Sequence, residues 1–174
     1  MSEYEASPLS RADIRDFAND IRKFCKCENV PYFPIVQFLE FVMPSLDPEF
    51  TWVPVSKQEM GSKHGLAYPN NKLIKIREDV YEGALQGKGR DRLTIAHEVG
   101  HYFMHKQGNI YFARSMGVAE KLPAYRDPEW QANAFAGELL APAHIIKGKN
   151  IFEVANLCGI SQQAARRQLE ACDK

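Results

Sequence analysis

Arg92-Leu-Thr-Ile-Ala-His97-Glu98-Val-Gly-His101-Tyr-Phe-Met-His105 holds the most informative pattern in the chain, His97-Glu98-Val99-Gly100-His101. On a helix, positions i and i+4 share a face one turn apart. His97 and His101 can therefore aim two imidazoles at one point, as a zinc ion requires. Glu98 lies on the turn between them, within reach of a water on such a metal, and suits the role of general base. Zinc adds Lewis acidity and lowers the pKa of its water to ~7, so a nucleophile exists at neutral pH. Leu93, Ala96, Val99, Gly100 and Phe103 form an apolar stripe at helical spacing, which places the histidines at the edge of a core. Asp91 is the expected N-cap, and Gly108 the expected end. Gly100 costs a helix ~1 kcal/mol against alanine. Its missing side chain lets another backbone or a substrate come close.

Two histidines leave the site one protein ligand short, because catalytic zinc usually takes three and keeps a position for water. Asp127-Pro-Glu129-Trp-Gln-Ala132-Asn133-Ala-Phe135-Ala136-Gly-Glu138-Leu139-Leu140-Ala-Pro142 supplies a second helix. Asp127 caps it and Pro128 takes its first position. Glu129 falls in the first turn on the face of Ala132 and Ala136, pointing inward. It is the preferred third ligand. Glu138 is its rival, with a surface or supporting role as the plainer reading. His105 shares the histidine face, but a rise of ~5.4 Å per turn puts it ~12 Å from His97 at the backbone. It reads as a helix-end cation that suits the dipole.

Arg-x-Thr-Ile-Ala-His-Glu-Val-Gly-His-Tyr-x-x-His, followed by Glu-Trp-Gln-Ala-Asn-x-Phe-Ala-x-Glu-Leu-Leu-x-Pro, resembles the ImmA/IrrE family of bacterial and phage metallo-endopeptidases. The likeness is strongest over residues 92–142 and reaches more loosely to Gly65-Leu-Ala-Tyr68 and Lys72-Leu-Ile-Lys-Ile76. It implies a zincin-like fold, with zinc held by His97, His101 and Glu129 and with Glu98 as the catalytic glutamate. It also implies a substrate: a helix-turn-helix repressor whose cleavage releases phage, mobile-element or stress-response genes.

The 174 residues suffice for one domain with a real core, and 45% hydrophobic content excludes wholesale disorder. The 22 basic and 22 acidic residues cancel, so no global basic field recruits nucleic acid. Cys25, Cys27, Cys158 and Cys172 contain no Cys-x-x-Cys pair and read as reduced thiols of a cytoplasmic protein. The acidic start Met1-Ser-Glu-Tyr-Glu lacks the order of a signal peptide, and no apolar run reaches membrane-spanning length.

The expected architecture is α+β and zincin-like: one domain over 1–174, with a small, mostly antiparallel sheet packed on helices. Residues 1–8 read as a flexible tail. Leu9 to Glu28, capped by Ser10, and Ile35 to Met43 have helical periodicity. Phe50–Val55 is an edge strand because Pro54 cannot donate to a ladder. Met60–Pro69 contains a second strand, Pro69-Asn70-Asn71 a hairpin turn, and Leu73–Ile76 a third strand. Glu78 to Gln86 is a short helix. Gly65, Leu66, Ala67 and Tyr68 are the candidate substrate-binding edge, which can hold an extended peptide by backbone hydrogen bonds. An ordinary edge strand is the alternative. Tyr68, His64, Tyr111 and Arg114 are candidate oxyanion donors, and sequence does not choose among them.

Residues 143–174 form a helical extension with Ile151–Cys158 and Ser161–Cys172 joined by Gly159. Its spacing resembles a helix-turn-helix, with Gln162, Gln163, Arg166 and Arg167 on the face that would meet DNA. A helical hairpin closing the core is the preferred reading. The expected activity is thus zinc-dependent hydrolysis of a peptide bond in a repressor or antitoxin. A regulatory module that binds a repressor or DNA without cleaving, or the toxin of a toxin–antitoxin pair, is the alternative.

Overall fold

The computed structural model describes residues 4–106, 110–112 and 122–172. Strand β1, Tyr4–Ala6, comes first. Ser10 then caps helix α1, Arg11–Phe24, and closes a box in which Asp13 answers the Ser10 backbone N–H. Helix α2 spans residues 35–46, with a π-helical middle at Phe38–Val42. Strand β2, Thr51–Val55, and the short helix α3, Lys57–Met60, lead to strand β3, Gly65–Tyr68. A 3₁₀ turn at Pro69–Asn71 returns the chain into strand β4, Leu73–Arg77. Helices α4, Glu78–Leu85, and α5, Gly89–Met104, follow. Beyond strand β5, Ile110–Phe112, come helices α6, Pro128–Leu140, α7, Ala143–Ile146, α8, Ile151–Cys158, and α9, Gln162–Cys172.

The fold is α+β, as expected, but its principal sheet is mixed. The order is β2-β4-β3. The tight turn makes β3 and β4 an antiparallel hairpin, whereas β2 lies parallel to β4. The chain passes through α3 between β2 and β3, so β4 can take the centre. Its Ile74 and Ile76 are fully buried. Pro54 is tolerated because β2 is an edge. The stretch expected to be a tail is ordered in part: Tyr4–Ala6 pair antiparallel with Ile110–Phe112.

Helix α6 runs between α1 and α5, which explains its burial on nearly every side, including Ala132, Phe135, Ala136, Leu139 and Leu140. Phe17 of α1 packs on Phe135 and on Phe103 of α5, with ring centroids 5.6 Å apart in each case. Glu138 is neither a surface group nor a partner of the histidines. It is fully buried and accepts from Arg11 Nε at 2.9 Å and Arg15 Nε at 3.1 Å, tying α1 to α6. Arg92 is buried too. It stacks 3.6 Å from the Tyr32 ring centre and donates to the carbonyls of Gly159, Phe33 and Cys158.

The helix that carries His97 and His101 starts earlier than the sequence predicts. Lys88 is its N-cap, without a side-chain bond, and Asp91 lies in the first turn. It ends at Met104, and the proposed terminator Gly108 lies outside the described residues. Helices α8 and α9 turn at Gly159, whose φ of 62° favours glycine. Val154, Cys158, Ile160 and Ala165 of this hairpin are buried in the core. Among the described residues, no helix is long and apolar enough to cross a membrane.

Candidate metal centre

One turn of α5 separates His97 from His101, and their Nε2 atoms face each other 3.0 Å apart. Glu129 enters from the first turn of α6, where the Asp127 side chain accepts from the Glu129 N–H at 2.9 Å. Its carboxylate reaches His97 Nε2 at 3.3 Å and His101 Nε2 at 3.2 Å. Four ligands at ~2.0–2.1 Å from a tetrahedral zinc lie ~3.3 Å from one another. The three side chains thus have the spacing of a group that could hold one metal ion.

The outer ring nitrogens strengthen the fit. His97 Nδ1 lies 3.1 Å from Asn133 Oδ1, one turn beyond Glu129 on α6. An amide oxygen only accepts, so Nδ1 carries the hydrogen and a neutral His97 presents the Nε2 lone pair inward. His101 Nδ1 is engaged by His105 Nδ1 at 2.8 Å. Two inward lone pairs and a carboxylate at such distances repel, and a cation among them removes the conflict.

Glu98 is buried under β3 and accepts from the backbone N–H of Ala67. Burial pushes its carboxyl up. A carboxyl raised in this way binds a proton more readily than a free one, which suits a group that takes and returns one. Gly65 makes room for it: a Cβ there would lie 2.6 Å from Glu98 Cγ.

Gly65, Leu66 and Ala67 line a cleft of ≈ 480 Å³ opposite His97, Glu98 and His101. Strand β3 is a sheet edge. Arg77 N–H donates to His64 O, directly opposite, and the alternation continues along the β3–β4 register. Gly65 and Ala67 therefore turn their backbone groups away from β4. Tyr68 is exposed and lies outside the cleft lining, while His64 lies within it. The Tyr111 side chain and Arg114 lie outside the described residues.

His105 differs from its expected role. It is buried, 3% exposed, and its Nε2 meets Gln131 Oε1 at 2.9 Å. Burial pushes it down to about 4, so it is a neutral ring and not a helix-end cation. Sequence reasoning missed Asn133, His105 and Gln131 as partners of the site. Asn133 had a signal, four residues after Glu129 on one helical face. Gln131 had none, because it meets His105 only through tertiary packing.

A His-Glu-x-x-His helix beneath a sheet edge, completed by a glutamate from the next long helix, is a metallopeptidase-type arrangement. The sequence profile of the IrrE N-terminal-like domain, Peptidase M78, matches residues 53–170. The chain belongs to this family of metallopeptidases. Comparisons with curated proteins and with solved structures found no significant match.

Proposed function

We propose that this protein is a zinc endopeptidase with His97, His101 and Glu129 as metal ligands and Glu98 as general base and acid. The observation that carries the reading is the meeting of two inward Nε2 atoms and the Glu129 carboxylate within 3.3 Å of one another, next to a buried glutamate. When bound, zinc would supply Lewis acidity and a readily deprotonated water. Glu98 accepts a proton from the attacking water and delivers it to the leaving amide nitrogen. The N–H of Ala67 holds Glu98 in place for both transfers. The outward backbone groups of Gly65 and the carbonyl of Ala67 bind the substrate as an added strand. Tyr68, exposed beyond the cleft, contributes backbone continuity only.

For the substrate we propose a helix-turn-helix repressor or an antitoxin, which the likeness over residues 92–142 supports. We place the reaction in the cytoplasm, where the four free thiols stay reduced.

The test combines elemental analysis with three substitutions. Wild type should carry about one zinc per chain, by the three-ligand logic of catalytic sites. Glu129→Ala should lose it and Glu138→Ala should keep it. Glu98→Gln should keep zinc and lose roughly 10²–10⁴-fold in peptide cleavage. Loss of zinc in Glu138→Ala alone would overturn the ligand set. Full biological function in Glu98→Gln would replace the enzyme with a non-cleaving regulatory or toxin module.

A further inference from the structure

We infer that His105 and Gln131 are positioning residues, which fix the His101 ring so that its Nε2 presents a lone pair to the metal. The inference rests on the metal reading above and extends it to a chain of buried hydrogen bonds that ends on the backbone.

The direction of every proton in this chain follows from its far end. Gln131 is fully buried. Its Nε2 donates to Ser7 O at 2.9 Å and to Tyr125 O at 2.8 Å. Both partners are carbonyls and can only accept, so both amide hydrogens are committed. The atom that faces His105 is therefore Oε1, at 2.9 Å from Nε2. An amide oxygen has no hydrogen to give, so His105 Nε2 carries the proton. A neutral imidazole has one N–H, which leaves His105 Nδ1 as an acceptor. It lies 2.8 Å from His101 Nδ1. His101 Nδ1 must then be the donor, and its Nε2 keeps the lone pair that points at His97 and Glu129.

With both rings neutral, no other assignment satisfies the four contacts. Flipping the Gln131 amide would set an oxygen against two carbonyls. Moving the proton on His105 would leave two acceptors facing at Gln131, whichever nitrogen of His101 carries its proton. Each such clash in a buried site costs on the order of a lost hydrogen bond or more. The outer partner of His97 differs: Asn133 is exposed, so no comparable set of buried contacts holds its amide. The device thus acts on one ligand of the pair. It also links the centre to the N-terminal segment, since Ser7 directly follows β1, and to the turn ahead of α6.

Histidine ligands to metals usually donate their second nitrogen to a carboxylate, a carbonyl or water, and loss of that partner typically costs 10–100-fold in metal affinity. Here a second histidine replaces it, oriented by an amide.

The experiment is long-range ¹H–¹⁵N NMR on the zinc-loaded wild type, with zinc affinity from chelator competition on two variants. His105 should show protonated Nε2 and bare Nδ1. Asparagine places an amide oxygen near the Nδ1 position, whereas glutamine places its amide near Nε2. His105→Asn should therefore stay within about threefold of wild-type zinc affinity, while His105→Gln falls about 10–100-fold. The opposite tautomer of His105 would overturn the inference, as would equal affinity in both variants. Equal loss in both would also overturn it, since it would mark His105 as packing and not as an acceptor. Failure of the wild type to take up zinc would instead remove the metal reading, and the positioning role with it.

Discussion

Gly65 of β3 stands directly against Glu98 of α5: a Cβ on the glycine would lie 2.6 Å from Glu98 Cγ and 3.0 Å from Oε1. The edge strand and the glutamate therefore share one space. The N–H of Ala67, two residues further along, binds the same carboxylate.

Gly65→Ala should accordingly act on the reaction and spare the metal. The new methyl must move either β3 or the Glu98 side chain. A displacement of ~1 Å in a catalytic group costs ~10²-fold in rate. Zinc content should stay at the wild-type level, since the atoms that the methyl crowds most closely all belong to Glu98 and none to a proposed ligand. Peptide cleavage against zinc stoichiometry separates the two. Wild-type turnover in this variant would show that Glu98 has slack and that the close approach does not position it.

The histidine helix and the glutamate helix were legible because each combines a fixed spacing with an apolar stripe. Gly100 was legible as a close approach: its neighbours are Phe135 and the Ala132 backbone. The parallel pairing of β2 was not, because pairing direction depends on which strand inserts between others and leaves no local mark. Nor was β1, since a three-residue strand has too few positions to show alternation. Glu138 was misread because its arginine partners lie more than a hundred residues away in sequence. His105 was misread for a related reason. Spacing along α5 gives its distance from His97, but the burial that keeps it neutral comes from α6 and the segments around it.

Asp47 gives the protein an acid sensitivity outside the candidate metal centre. Its carboxylate accepts from Lys72 Nζ and from Tyr102 Oη, the latter at 2.8 Å. The Lys72 bond, followed by that of Tyr102, holds its carboxyl below the usual range. A depressed carboxyl contributes stability that is fully present above the unfolded value of about 3.9 and is lost as pH falls through the folded value. Tyr102 adjoins His101, so the contact anchors α5 near the site. Asp47→Asn, followed by chemical denaturation across acid pH, should therefore be less stable than wild type at neutral pH and should lose less stability below about pH 4. Parallel curves for the two proteins would show that this carboxylate has no linkage to folding.

Gly100→Ala pits two effects of known size against each other. Alanine is the better helix former by ~1 kcal/mol in a helix interior. Against this, the added Cβ would lie 2.9 Å from Phe135 Cδ1 and 3.4 Å from Ala132 Cα. Phe135 is fully buried and packed on Phe17, so its ring has little room to retreat. Overpacking of such a contact costs about 1–3 kcal/mol. The larger penalty should prevail, with the thermal midpoint falling by a few degrees, at roughly 2–4 °C per kcal/mol for a chain of this size. Zinc affinity should fall as well, because the histidines sit on α5 and Glu129 on α6, and this contact sets the distance between those helices. A variant with a raised midpoint and unchanged zinc affinity would show that propensity prevails and that the helices can part without disturbing the ligands.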